Sequence, residues 1–253
     1  MEENGDILQD IEEKWQKKLL ESAKKKRQHL LWKELDTPDV DKKMGVRVWR
    51  SLNIKRTMWR AVMQLQTESF LVGARKAAML HDSSKKWCRW CTGKPATVSH
   101  IVCGCSFTRG RHMEIHDDVC FDIFREVAKK NGMWEETWRR NDFDHVVESD
   151  GVKMTFGTQL LRQEFKDSFP NKPDILLVVG RKAWIVDVAV VSHGNLIGAF
   201  SEKMRKYEKL RRRLKVSMKL ASCEIVPVVV SYKGLILKAS EEKMEQLAKV
   251  PWP

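Results

Sequence analysis

The sequence predicts a mixed α+β fold behind a helical N-terminal region, and three observations predict it. Apolar residues recur at helical spacing through the N-terminal part of the chain. A tight cluster of cysteines and a histidine follows. Beyond it the pattern becomes helix, short strands, a nearly unbroken apolar hairpin, helix and strand. The implied division is a helical basic region over 1–83, a Cys/His knuckle over 84–108 and an α+β domain over 109–253.

Composition narrows the functional classes. The chain has 253 residues, enough for one large domain or two small ones, and 42% are hydrophobic, which supports a real core. The net charge of +13 and pI near 9.5 favour a polyanionic partner, with nucleic acid the usual one. A basic, solvated surface is the alternative. No apolar run is long enough to span a bilayer, so no membrane partner is expected, and the N-terminus lacks a secretory signal pattern. The six cysteines are mostly clustered, which favours metal binding over disulfides.

Residues 1–36 read as one long helix with an acidic start, its apolar positions running from Ile7 and Leu8 to Leu31 and Leu35. The run Lys24-Lys25-Lys26-Arg27 suits a solvated helix face, and also a nuclear localisation signal or a phosphate contact. Asp36-Thr37-Pro38-Asp39 breaks the helix. Residues 40–83 look helical again, with Val48, Trp49, Met58, Trp59, Val62 and Met63 on helical spacing and arginines interleaved.

The next segment is Cys88-x2-Cys91-x8-His100-x4-Cys105. Two cysteines flanking two residues, then a histidine and a cysteine at short range, can close a tetrahedral zinc site that itself holds the segment together. Cys105 is the best fourth ligand, Cys103 competes with it, and His112 and His116 are weaker competitors. Trp87 and Trp90 stand beside Lys85, Lys86 and Arg89, where they can stack on unpaired bases or pack against the knuckle.

After Arg109-Gly110-Arg111-His112 a helix buries Val119, Ile123, Phe124, Val127 and Ala128 and ends at Asn131-Gly132. Cys120 reads as an apolar helix position. Strands over 145–148 and 152–156 turn at Asp150-Gly151. Residues 158–169 form a short helix or an irregular approach, with Glu164 either an extra acid or surface charge.

A second hairpin then joins apolar runs at 175–179 and 183–191 through Gly180-Arg181-Lys182. Its near-continuous apolar character implies that both faces are covered. Asp174 opens the first run, Asp187 lies inside the second, and the hairpin brings them nearly opposite. Two carboxylates so placed repel unless a cation neutralises them, and oxygen-only ligands suit magnesium. A helix to about Leu214 follows, with Ile197, Phe200, Met204, Tyr207 and Leu210 as its stripe and Lys203 and Tyr207 neighbours at four-residue spacing. A strand over 225–232 carries Pro227, a mark of an edge or bulge, and Ser240 caps a last helix from Glu241 to about Lys249.

Lys172-Pro173-Asp174, the hairpin and Asp187 resemble the core of the PD-(D/E)XK nuclease superfamily. With Lys203-x2-Lys206-Tyr207 and the knuckle, they resemble the restriction-like endonuclease segment of site-specific non-LTR retrotransposons, over about 45–232. The resemblance implies a restriction-endonuclease-like αβββαβ core behind a CCHC zinc knuckle. It implies a structural zinc ion on Cys88, Cys91, His100 and Cys105, and a catalytic magnesium ion on Asp174 and Asp187. Many superfamily members carry a lysine two residues after the second acid, where this chain has Ala189. The retrotransposon branch resembles a version whose cation comes from the following helix, here Lys203 first and Lys206 second. Tyr207 would complete the pocket or contact DNA. Arg111 and His112 match an Arg-His-Asn/Asp element, although Met113 intervenes before Glu114, and the other match, His116-Asp117, lacks the arginine. Nucleic-acid contacts then fall to Arg111, His112, Lys172, Trp87 and Trp90.

The function so implied is a nuclear, magnesium-dependent DNA endonuclease that nicks target DNA, leaving a 3′ hydroxyl to prime reverse transcription. Its partners would be the DNA target, the element RNA and the element's reverse-transcriptase domain. No Tyr/Phe-x-Asp-Asp polymerase motif is present, so the chain is expected to be the C-terminal segment of such an element, a truncated copy or a separate reading frame. Two other classes stay open. One is a catalytically inactive zinc-knuckle module that binds nucleic acid, from a truncated or co-opted element. The other is an interaction protein assembled through its long N-terminal helix.

Overall fold

The computed structural model describes residues 34–41, 56–91, 93–160 and 170–248, together with Lys14, Lys17, Lys18 and Glu21. The body of the expected helix over 1–36, the run Lys24–Arg27, the apolar positions Val48 and Trp49, and Glu164 lie outside the described residues. The chain separates into two compact units, Met1–Ile101 and Val102–Pro253. No helix among the described residues is long and apolar enough to cross a membrane.

In the first unit, the described part of the region expected to be helical over 40–83 holds two helices, α1 (Arg56–Gln66) and α2 (Gly73–Leu80). The break has a local cause. Glu68 adopts a left-handed backbone, and the Thr67 hydroxyl donates back to the Met63 carbonyl at 2.7 Å, closing α1. Met58 and Met63, two of the apolar positions on helical spacing, are exposed. α2 begins at Gly73 because only glycine fits there. A Cβ would stand 2.6 Å from the Lys85 carbonyl oxygen and 2.9 Å from the Ala96 side chain.

The second unit is a five-stranded sheet between two helical layers. Helix α3 (Arg109–Lys130) leads into β1 (Val146–Ser149), β2 (Val152–Phe156), β3 (Ile175–Val179) and β4 (Lys182–Val191). Helix α4 (Leu196–Ser217), β5 (Ser222–Ser231) and α5 (Lys238–Ala248) complete it. The strands lie in sequence order, with β1 to β4 antiparallel and β5 parallel to β4. The β1–β2 turn uses left-handed Asp150 and Gly151, and the β3–β4 turn uses left-handed Gly180. α4 is the crossover that a parallel β4–β5 pair requires.

Alternation along β3 and β4 feeds two cores. Ile175, Leu177, Trp184, Val186 and Val188 pack with Cys120, Phe124 and Ala128 of α3 and Leu247 of α5. Leu176, Val178, Ala183 and Ile185 pack with Tyr207, Leu210 and Leu214 of α4. Both faces of the hairpin are therefore covered, as its apolar runs predict. Pro227 sits in the edge strand, opposite Asp187.

Two sequence expectations shift. The buried stripe of α4 is Leu196, Ala199, Tyr207, Leu210 and Leu214, while Ile197 is exposed. A short 3-10 turn at His193–Asn195 precedes the helix, whose first residue, Leu196, is buried. Ser240 lies inside α5 rather than at its cap, and its buried hydroxyl accepts the Val229 N–H at 3.2 Å, tying α5 to β5.

Candidate functional site

The knuckle is built by turns rather than by regular elements. The Cys88 N–H donates to the Lys94 carbonyl at 2.9 Å, and Trp87 bridges to Pro95, so the chain folds back on itself after Cys91. The Thr97 hydroxyl accepts the His100 N–H at 3.0 Å and starts a single π-helical turn, His100–Gly104. The ligand atoms of Cys88, Cys91, His100 and Cys105 then lie within 4.8 Å of one another, with Cys91 Sγ and His100 Nε2 3.2 Å apart.

This Cys3His donor set fits zinc or a similar metal. Burial pushes the Cys88 thiol up, but the N–H groups of Cys91 and Trp90 and the His100 and Cys91 side chains outweigh it and bring it down to about 6. A thiolate is thereby favoured where a metal needs one. Cys103 stays outside the set, and burial pushes its thiol up to about 11. Cys105 is the fourth member, as the spacing suggests. His112 and His116 are not part of it: a His112 ring nitrogen lies 2.9 Å from the Thr108 hydroxyl, and His116 belongs to the second site.

Trp87 and Trp90 are exposed, with Lys86 5.8 Å and Arg89 4.9 Å from their respective ring centroids. They line a groove of about 590 Å³ with Gly73, Lys76, Lys85 and Arg89. Aromatic faces backed by cations on an open groove can stack on bases.

The second site lies where the β3–β4 hairpin starts. Asp187, on the α4 side of β4, is almost fully buried at 1% exposure, and Lys203 and Lys206 of α4 both reach it. Lys203 pairs with Oδ2, and Lys206 Nζ lies 3.5 Å from Oδ1. The spacing of the two lysines sets them on adjacent turns of one helix face. Lys203 thus delivers to Asp187 the ammonium that Ala189, on the same face of β4, cannot.

Asp174 precedes β3 and accepts the Val188 N–H at 2.7 Å, while His116 of α3 approaches the same oxygen at 3.2 Å. Burial pushes the Asp174 carboxyl up, but His116, the Val188 N–H and Lys203 together hold it below the usual carboxylate range. The hydrogen bond to Asp174 raises His116 to about 9, against the opposing effect of burial and with help from Asp117. Lys203 therefore acts electrostatically on both aspartates, and its ammonium offsets the negative charge that they bring together.

Tyr207 is fully buried, and its hydroxyl donates to the Lys172 carbonyl at 3.2 Å. That bond joins the Lys172-Pro173-Asp174 segment to α4. The Lys172 side chain is exposed. Arg111 is exposed at the start of α3 and pairs with Glu114 at 2.7 Å. Arg111 and His112 are not brought to the aspartates. His116, one helical turn beyond His112, is. The sequence offered it only through the His116-Asp117 match and as a weaker competitor for zinc.

No family model matches the chain, and no curated protein matches it. What the fold and sites define is a mixed α+β protein with a five-stranded mixed sheet and a Cys3His cluster suited to a metal.

Proposed function

We propose that the chain is a magnesium-dependent DNA endonuclease with a PD-(D/E)XK-type core behind a zinc knuckle, of the kind that non-LTR retrotransposons use to nick their target. The observation that carries this reading is the convergence of Asp174, Asp187 and Lys203 from a strand start, a neighbouring strand and a crossover helix. Asp174 and Asp187 would hold magnesium, which would supply charge to polarise the phosphoryl group and lower the pKa of an attacking water. The other steps belong to the protein. Lys203 orients that water or offsets charge developing on the phosphate. His116 keeps Asp174 ionised, and Tyr207 fixes the segment that carries Asp174. The exposed Trp87 and Trp90, Lys172 and the net charge of +13 supply contacts to unpaired bases and phosphates. Function at chromosomal DNA, with element RNA and a reverse-transcriptase domain as partners, follows from the same reading.

Nicking of supercoiled plasmid tests it, with and without magnesium, beside Asp174→Ala, Asp187→Ala and Lys203→Ala. Magnesium-dependent nicking that disappears in both aspartate variants is the expected result. DNA binding without nicking, unchanged in those variants, would instead leave a zinc-knuckle binding module.

A further inference from the structure

His116, Cys120 and Asp174 form a second metal-ligating group, apart from the knuckle, whose ligand atoms lie within 4.8 Å of one another. His116 and Cys120 are four residues apart on α3 and so share one helix face. Cys120 Sγ is 3.7 Å from the His116 ring nitrogens, and His116 Nε2 is 3.2 Å from Asp174 Oδ2. Zinc bond lengths imply ligand-to-ligand edges of about 3.3–3.7 Å in a tetrahedral site. The three groups thus stand close to metal-bound spacing.

The surroundings suit a metal as well. Asp117 Oδ1 lies 3.0 Å from His116 Nδ1, the carboxylate-to-imidazole contact that leaves the other ring nitrogen free to ligate. The Val188 N–H anchors the Asp174 oxygen that faces the histidine. Cys120 is buried and His116 and Asp174 are partly open, so three protein ligands would leave a fourth position toward solvent.

We infer that His116, Cys120 and Asp174 bind a borderline-soft divalent ion of the zinc or cobalt kind. Thiolate and imidazole exclude magnesium from this ligand set, since magnesium demands oxygen. The site lies beside the two aspartates and shares Asp174 with them, but it does not depend on phosphodiester hydrolysis. Its test is read without DNA and without magnesium, so this inference and the nuclease reading can fail separately.

The full chain, stripped of metal under reducing conditions, is titrated with cobalt(II). Bound ions are counted after desalting, and thiolate-to-cobalt charge transfer is read alongside. The native chain should hold about two ions, one in the knuckle and one here. His116→Gln and Cys120→Ala should each hold about one, with the charge-transfer band of the knuckle kept. Cys91→Ala should lose the knuckle ion and keep the Cys120 band. His116 is partly exposed, so His116→Gln leaves the α3 core in place even if Cys120→Ala disturbs it. About one ion in the native chain, or about two in folded His116→Gln, overturns the inference.

Discussion

Lys203 and Lys206 both reach Asp187, but not equally. Lys203 pairs closely and is mostly buried at 18% exposure, whereas Lys206 is 3.5 Å away and more open. If Lys203 supplies the cation, Lys203→Ala should lower the nicking rate about 100-fold or more, and Lys206→Ala should lower it much less. Single-turnover nicking with each variant measures the difference, and equal losses would refute the ranking. His116 makes a prediction about pH. Its folded pKa is raised to about 9 from an ordinary 6.5, so its stabilising contribution is full below about 6.5 and disappears as pH rises through about 9. Asp174 is shifted downward, so its contribution persists above its ordinary range and is lost only in acid. Urea midpoints from about pH 6 to about pH 10 should therefore fall on the alkaline side, and His116→Gln should flatten that limb. The proximity of Asp174, Asp187, Lys203 and Tyr207 was legible because each stands in a short motif whose spacing survives in sequence. His116 was less so, because it meets Asp174 across 58 positions and no local pattern encodes that meeting.

Elements carry the next set of constraints. Both hairpins were legible, since Asp150-Gly151 and Gly180 supply the left-handed backbone that their turns need. The full stripe of α4 was only partly legible: Tyr207 and Leu210 are buried as expected, but adjacent Leu196 and Ile197 both suit an apolar helix start, and the structure buries Leu196. The Tyr207 hydroxyl holds α4 to the Lys172 carbonyl, a single hydrogen bond worth about 1 kcal/mol. Tyr207→Phe should lose about that much stability in urea unfolding while keeping the buried ring, and its nicking rate should fall if the bond positions Asp174. Gly73→Ala drives a methyl group against the Lys85 carbonyl and the Ala96 side chain, just before and after the first cysteine pair. It should cost about 1–3 kcal/mol and speed the release of zinc to a chelator. An unchanged release rate would show that α2 and the knuckle are mechanically independent.

For the molecule as a whole, the net charge of +13 would govern how it meets DNA under the proposed function. If six or more phosphates are neutralised, affinity should fall about 1,000-fold or more between 50 and 200 mM salt. Binding isotherms at several salt concentrations measure the slope, and a flat response would remove nucleic acid as the partner. Charge was legible from composition alone, and so was the order of elements. The division at Ile101 was not, because it falls inside the segment that the cysteines mark as one motif. The crossover geometry of α4 has a further consequence, for the chain as it leaves the ribosome. The hairpin bearing both aspartates is synthesised first, and Lys203 arrives only with the helix that β5 later pins in place. On the proposed nuclease reading, a nascent chain would cling to nucleic acid before it could cut, and cutting would be deferred until synthesis of this unit was nearly done.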